Sequence, residues 1–328
     1  MWQPMSLCAG ACPDKGRVVQ FPRILISFAS IIFLNSCGNN NMLKEIKLIG
    51  NYPSASGIEY FNKQFYVIGD DANNLLVLDS SLNPVDSIGL YSFTEKRIPK
   101  AVKPDLESIL ITSDKKLLLL GSGSLSPYRN IAWLIDPVTK EKDSIRLDVF
   151  YDRLKESGLA ELNIEGACSM PGYIVLSNRG SKGFPKNHLI ITRAAFWKEQ
   201  AHCPITVIPL GGNTGSAVFN GVAGLAYTRR TDRLIIAVST EDTRNSMDDG
   251  TIGKSYIWIV NDFSAKKNWK AINPNQVIDL EKTDPQFKGQ KIESVCVTGE
   301  TRQFLQLVLA ADNDDGSSTV FRMLAEKK

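Results

Sequence analysis

Histidine is almost missing from this chain: 328 residues hold two, His188 and His202. His188 falls in a strand pattern and His202 in a loop, so neither a His-based zinc centre nor a Ser-His-Asp triad is expected. A charge excess is missing too. The net charge is +3, and Asp14, Lys15, Arg17 and Arg23 put part of it in the first 36 residues. The remainder is close to neutral and carries no basic stripe, which excludes nucleic acid as an expected partner. No glycine-rich phosphate loop or GxGxxG fingerprint stands between a strand and a helix. The apolar stretch 24–34 is well short of the roughly 20 residues that span a membrane.

That stretch, preceded by Arg17 and Arg23, fits instead the apolar region of a secretory signal peptide. Leu34-Asn35-Ser36-Cys37 follows it directly and resembles the lipobox of bacterial lipoproteins. The resemblance implies a signal peptide over 1–36, a lipid on Cys37, a short tether over 37–43 and a location in the bacterial cell envelope, held to a membrane through that lipid. The stretch 1–16 is long for a leader, so the true start is read as lying downstream of Met1. With Cys37 lipidated, Cys168, Cys203 and Cys296 remain. An odd count argues against a disulfide framework, and Cys168 and Cys296 sit in apolar strand patterns as small hydrophobes.

The dominant signal is an internal repeat. Ser56-Gly57-Ile58, Glu107-Ser108-Ile109, Glu165-Gly166-Ala167, Ala223-Gly224-Leu225 and Glu293-Ser294-Val295 share a small residue at the second position, at steps of 51, 58, 58 and 70 residues. Short β-branched and aromatic runs bounded by Gly, Pro, Asn and Asp follow each one, as strands do. The reading is all-β: a five-bladed β-propeller over 44–328. The fifth unit lacks a fourth strand. The segment 44–49 resembles the fourth strands elsewhere, so it is expected to complete the last blade and close the ring without leaving an open edge. One helical pattern, 149–159, joins blades two and three. The chain is expected to be a monomer.

Propeller geometry brings the starts of first strands and the ends of second strands together around one channel mouth. Three of the five first-strand starts are acidic: Glu107, Glu165 and Glu293. Like charges so placed need neutralising. Hard oxygen ligands without histidine favour Ca²⁺, so these three are the candidate metal ligands. The alternative has each glutamate bonding backbone N–H groups of a neighbouring blade. Asp71, Asn178, Glu241 and Asp312, at second-strand ends, are the candidate ligand-binding residues. The mouth also reads as divided: Arg129, Arg179, Lys182 and Lys186 on blades two and three, acids on blades one, four and five. A cation on the acidic side and a phosphorylated or carboxylated small molecule on the basic side would suit that division. Asp312-Asn313-Asp314-Asp315-Gly316 misses the calcium-loop spacing by one residue and reads as a hairpin turn.

The Ser-Gly-Ile-Glu and Ile-Glu-Gly strand starts, with Gly69-Asp70-Asp71 after a second strand, resemble the esterase-like-phytase and SdiA-regulated propeller families, and still more a group of lipoprotein propellers. The resemblance implies a calcium-associated hydrolase of phosphoesters, with Glu107, Glu165 and Glu293 in the acidic role and Arg179 steadying developing negative charge. Blade four departs from it, with Ala223 in place of the acid. Two other functions fit the pattern: a non-catalytic propeller that captures a ligand or protein, and a glycosidase built on paired carboxylates.

Overall fold

The computed structural model describes residues 40–211, 219–241, 252–265 and 270–328. Cys37 and the leader lie outside these residues, as do Asp242, Asp248 and Asp249; Glu241 is described in backbone only. The first element of the described residues is strand β1 (Met42–Ile49). Blade one is β2 (Ala55–Phe61), β3 (Gln64–Gly69), β4 (Asn74–Leu78) and β5 (Pro84–Gly89). Blade two is β6 (Leu106–Ile111), β7 (Leu117–Gly121), β8 (Ile131–Ile135) and β9 (Lys142–Arg146), followed by helix α1 (Asp148–Glu156). Blade three is β10 (Ile164–Met170), β11 (Tyr173–Asn178), β12 (Asn187–Arg193) and β13 (Ile205–Leu210). Blade four is β14 (Asn220–Thr228), β15 (Arg233–Glu241), β16 (Ile252–Asn261) and β17 (Gln276–Asp279), with a single helical turn, α2 (Leu280–Thr283), behind it. Blade five is β18 (Lys291–Glu300), β19 (Phe304–Asp312) and β20 (Ser318–Glu326), with β1 as its outer strand.

Each blade is a four-stranded antiparallel meander, and the innermost strands β2, β6, β10, β14 and β18 pack side by side around a ring. The chain is a five-bladed propeller, as the repeat predicts. Burial falls from the middle of each blade to the rim. Leu117 to Leu120 of β7 are all fully buried, whereas β9 is almost wholly exposed. The core therefore lies between blades, as apolar layers shared by neighbouring sheets. Full burial of each leucine contributes about 1.5–3 kcal/mol. Helix α1 covers the layer between blades two and three: Phe150, Tyr151 and Leu154 are buried, and the Tyr151 hydroxyl donates to the Gly121 carbonyl.

Closure of the ring follows the expected route. Strand β1 pairs antiparallel with β20, Ile49 opposite Ser318 and Met42 opposite Leu324. Arg322 Nε donates to Glu45 Oε2 at 3.0 Å across the pair. Ser318 Oγ then ties blade five to blade one, accepting from Ala55 N at 3.0 Å and donating to Tyr52 O at 2.8 Å. The β19–β20 connection is a hairpin turn, with Asp314 and Gly316 in the left-handed region and Asp314 N donating to Asp312 Oδ1. Cys168, Cys203 and Cys296 are unpaired and buried. Among the described residues no helix is long and apolar enough to cross a membrane.

Candidate functional site

A β-bulge puts one extra residue into a strand and re-aims its side chain. All five innermost strands carry one near their start: at Ser56, Glu107, Glu165, Ala223-Gly224 and Glu293. The three glutamates singled out in the repeat are thus bulge residues, turned out of the ladder toward the channel mouth. The small residue after each bulge has a packing reason. A Cβ on Gly166 would fall 2.4 Å from the Ala223 carbonyl, and one on Gly224 2.6 Å from Ser294 Cα. Neighbouring innermost strands approach too closely there for a larger side chain.

Glu165 and Glu293 face one another across blade four, with Arg179 between them. Arg179 Nη1 lies 3.8 Å from Glu165 Oε2 and 3.6 Å from Glu293 Oε2. The guanidinium rests on Gly221, where a Cβ would come within 2.4 Å of Nε. Blade four therefore lacks an acid for a physical reason: Gly221 and Ala223 leave the room that Arg179 fills. Lys291 Nζ bonds Glu293 Oε1 at 3.0 Å, and Asn163 Nδ2 bonds Glu165 Oε1 at 2.6 Å. The two carboxyls are pushed apart by these settings. Burial raises Glu165 to about 8, with Glu293 adding and Arg179 opposing. Burial alone would raise Glu293 as well, but Lys291 and Arg179 hold it below the ordinary carboxylate value.

Glu107 belongs to a second group. It comes together with Asp70 and Asp105, ligand oxygens of all three lying within 4.8 Å of one another. Lys103 Nζ bonds Asp70 Oδ2 and lies 2.8 Å from Asp105 Oδ1. Arg129, fully buried, holds the other Asp105 oxygen at 2.7 Å, beside Ser122 Oγ. Burial raises Glu107 well above its ordinary value, and Glu165, Asp105 and Asp70 add to the rise against Lys103.

The expected trio of metal ligands does not assemble. Among the described residues Asp70, Asp105 and Glu107 are the one acidic group close enough to share an ion; Glu165 and Glu293 are held apart by a guanidinium. Glu165 and Glu293 are engaged by the side chains of Asn163, Arg179 and Lys291 rather than by backbone N–H groups. The charge division is corrected as well. Arg129 and Arg179 are buried against acids, and Asp70 of blade one pairs with Lys103 ahead of blade two, so the signs interleave around the described part of the mouth. Charges left unpaired at this depth would be costly. Asp71 is buried and bonds Arg97 at 2.6 Å. Asp312 is buried, and burial raises it to about 7, Lys291 opposing. Asn178 positions its neighbours: its Oδ1 accepts from Asn163 N and its Nδ2 donates to Glu161 O.

Lys103, Asp105 and Lys291 escape the repeat. The position two residues before each bulge holds Ser54, Asp105, Asn163, Gly221 and Lys291 in turn. That register is a signal, but its residue types share no chemistry. His188 is likewise closer to the mouth than its strand pattern suggests. With Arg179, Lys186, Phe184, Gly180 and Glu161 it lines a cavity of about 310 Å³ over blade three. Burial and Lys186 keep its imidazole below the ordinary value, and Nδ1 is buried without a hydrogen-bond partner.

Fold and site together define a five-bladed β-propeller with a buried, internally paired constellation of acids and bases at its channel mouth. Within that class the chain belongs to the family of unknown function DUF6929, whose description matches residues 51–324. Among curated proteins none matches. Among solved structures, glutaminyl cyclase from Myxococcus xanthus aligns over 88% of this chain and 97% of its own, at 11% identity and a TM-score of 0.52. Virginiamycin B lyase from Staphylococcus aureus aligns over 85% and 99%, at 12% identity and a TM-score of 0.39. The first likeness is one of fold.

Proposed function

We propose that the channel mouth binds a small phosphorylated or carboxylated molecule in the cavity beside Arg179. The observation that carries this reading is the charge of the Glu165–Arg179–Glu293–Lys291 group. Burial raises Glu165 to about 8, so up to that pH its proton weakens its hold on Arg179. Arg179 also lines a cavity that carries Lys186 and His188, with Glu161 as its acid. A cavity of about 310 Å³ suits a small metabolite. Inorganic phosphate is the probe. Its affinity should fall as pH rises through 8, because ionised Glu165 then competes for Arg179, and Lys186→Ala should weaken it about tenfold. Binding that is unchanged in both comparisons would exclude this cavity.

The split between the two glutamates favours a second, hydrolytic reading. A protonated Glu165 can give its proton to a leaving oxygen while ionised Glu293 takes one from the attacking water. The esterase-like-phytase resemblance implies the same reaction class, with calcium held by the glutamates in place of this carboxyl pair. Turnover of p-nitrophenyl phosphate that Glu165→Gln abolishes, with phosphate binding kept, would separate the two readings. We further propose that Cys37 carries lipid and holds the propeller at the bacterial cell envelope.

A further inference from the structure

We infer that Lys103 is a tethered cation standing where a divalent ion would sit, so that the channel mouth is closed by the chain's own ammonium and needs no metal. The inference is independent of the anion-binding reading. It starts from the expectation of calcium and from the residues that would have to hold it. Asp70, Asp105 and Glu107 present oxygens within 4.8 Å of one another, the hard donors that Ca²⁺ takes. Calcium, however, wants six to eight oxygens at about 2.3–2.6 Å, and Asp70 Oδ2 and both Asp105 oxygens are already taken by the chain's own side chains. Lys103 Nζ lies on Asp70 Oδ2 and 2.8 Å from Asp105 Oδ1, with its side chain mostly buried. Asp105 Oδ2 accepts from Ser122 Oγ at 2.5 Å and pairs with Arg129 Nη1 at 2.7 Å.

The local backbone holds this arrangement. Asp105 lies in the left-handed region at φ 53°, an unusual conformation for a residue with a Cβ. That kink lies between Lys103 and Glu107 in the chain. The preceding Pro104 fixes its own φ, and Gly121 packs so closely on the Pro104 carbonyl that a Cβ would meet it at 2.7 Å. Lys103 thus arrives on a pinned segment, at a fixed point.

Charge completes the argument. Lys103 and Arg129 pair with Asp70 and Asp105. A divalent ion would add two uncompensated charges in a buried place unless it expelled Lys103. Remove the lysine and the balance reverses. Asp70 then loses its lysine, Asp105 keeps only Arg129, and Asp70 Oδ1 is buried with no hydrogen-bond partner. Such a group should recruit the ion that the natural chain excludes.

Thermal melts of the full-length protein in CaCl₂ and in EGTA test this. The natural chain should melt at the same temperature in both and should yield no calcium on elemental analysis. Lys103→Met should melt lower in EGTA and recover saturably with CaCl₂. A hundredfold excess over Kd corresponds to about 2.7 kcal/mol of added stability. Lys103→Arg, which keeps a cation, should remain indifferent to calcium. Should Lys103→Met fail to fold in EGTA, refolding on addition of CaCl₂ supports the inference. A natural chain that calcium stabilises overturns it. So does a folded Lys103→Met that ignores calcium, or one that calcium leaves unfolded while the double variant Asp70→Asn, Lys103→Met folds.

Discussion

Glu165 illustrates how much one buried carboxyl can do to a fold. Its folded-state value of about 8 stands above the ordinary 4.5, so between those two pH values the folded protein holds a proton that the unfolded chain has released. Its contribution is therefore intact below about pH 4.5 and is lost as pH rises toward 8. The slope is at most about 1.4 kcal/mol per pH unit for one proton. Glu165→Gln should flatten that part of the stability curve, measured by urea unfolding between pH 5 and 8. An unaltered slope would mean that Glu165 titrates normally. This residue was readable in the sequence because it occupies a repeated position next to a small residue. Its partners were not. Arg179 carries its charge to the mouth from the end of β11 and across to blade four, and Lys291 and Asp105 stand at a register whose five occupants share no chemistry. A repeat shows where side chains go and says little about which of them will meet.

At the level of elements, strand order and closure were legible, because alternation and turn residues act locally and the repeat carries the register from blade to blade. The segment expected to close the ring, 44–49, does so within β1, and the expected helix over 149–159 is α1. The bulges were not legible, since an extra residue in a strand leaves no mark on composition; only pairing to the second strand reveals it. β1 itself alternates exposed and half-buried residues, with Ile49 its one buried apolar residue. Its value lies in the ladder it gives β20, whose Val320, Phe321 and Met323 are completely buried. A chain starting at Tyr52 should therefore melt well below the full chain and aggregate through the uncovered edge of β20. Light scattering during a thermal ramp would show this. Equal melting temperatures would mean that the ring closes without β1.

For the whole molecule, the anchor and the propeller are separable questions. Cys37→Ser should abolish fatty-acid labelling and move the protein from the membrane fraction to the soluble one, with the melting temperature unchanged. Retention in the membrane fraction would mean that something other than lipid on Cys37 holds it there. The pairing of β1 with β20 has a consequence in time. Among the described strands, β1 must wait for β20: Ile49 has no partner until Ser318 has been synthesised, and Met42 none until Leu324. Four blades can assemble as they emerge, but the ring stays open until almost the whole chain is available. Every chain stopped before Ser318 would present β1 as an unpaired strand at its leading end, a ready mark by which quality control could tell an unfinished propeller from a finished one.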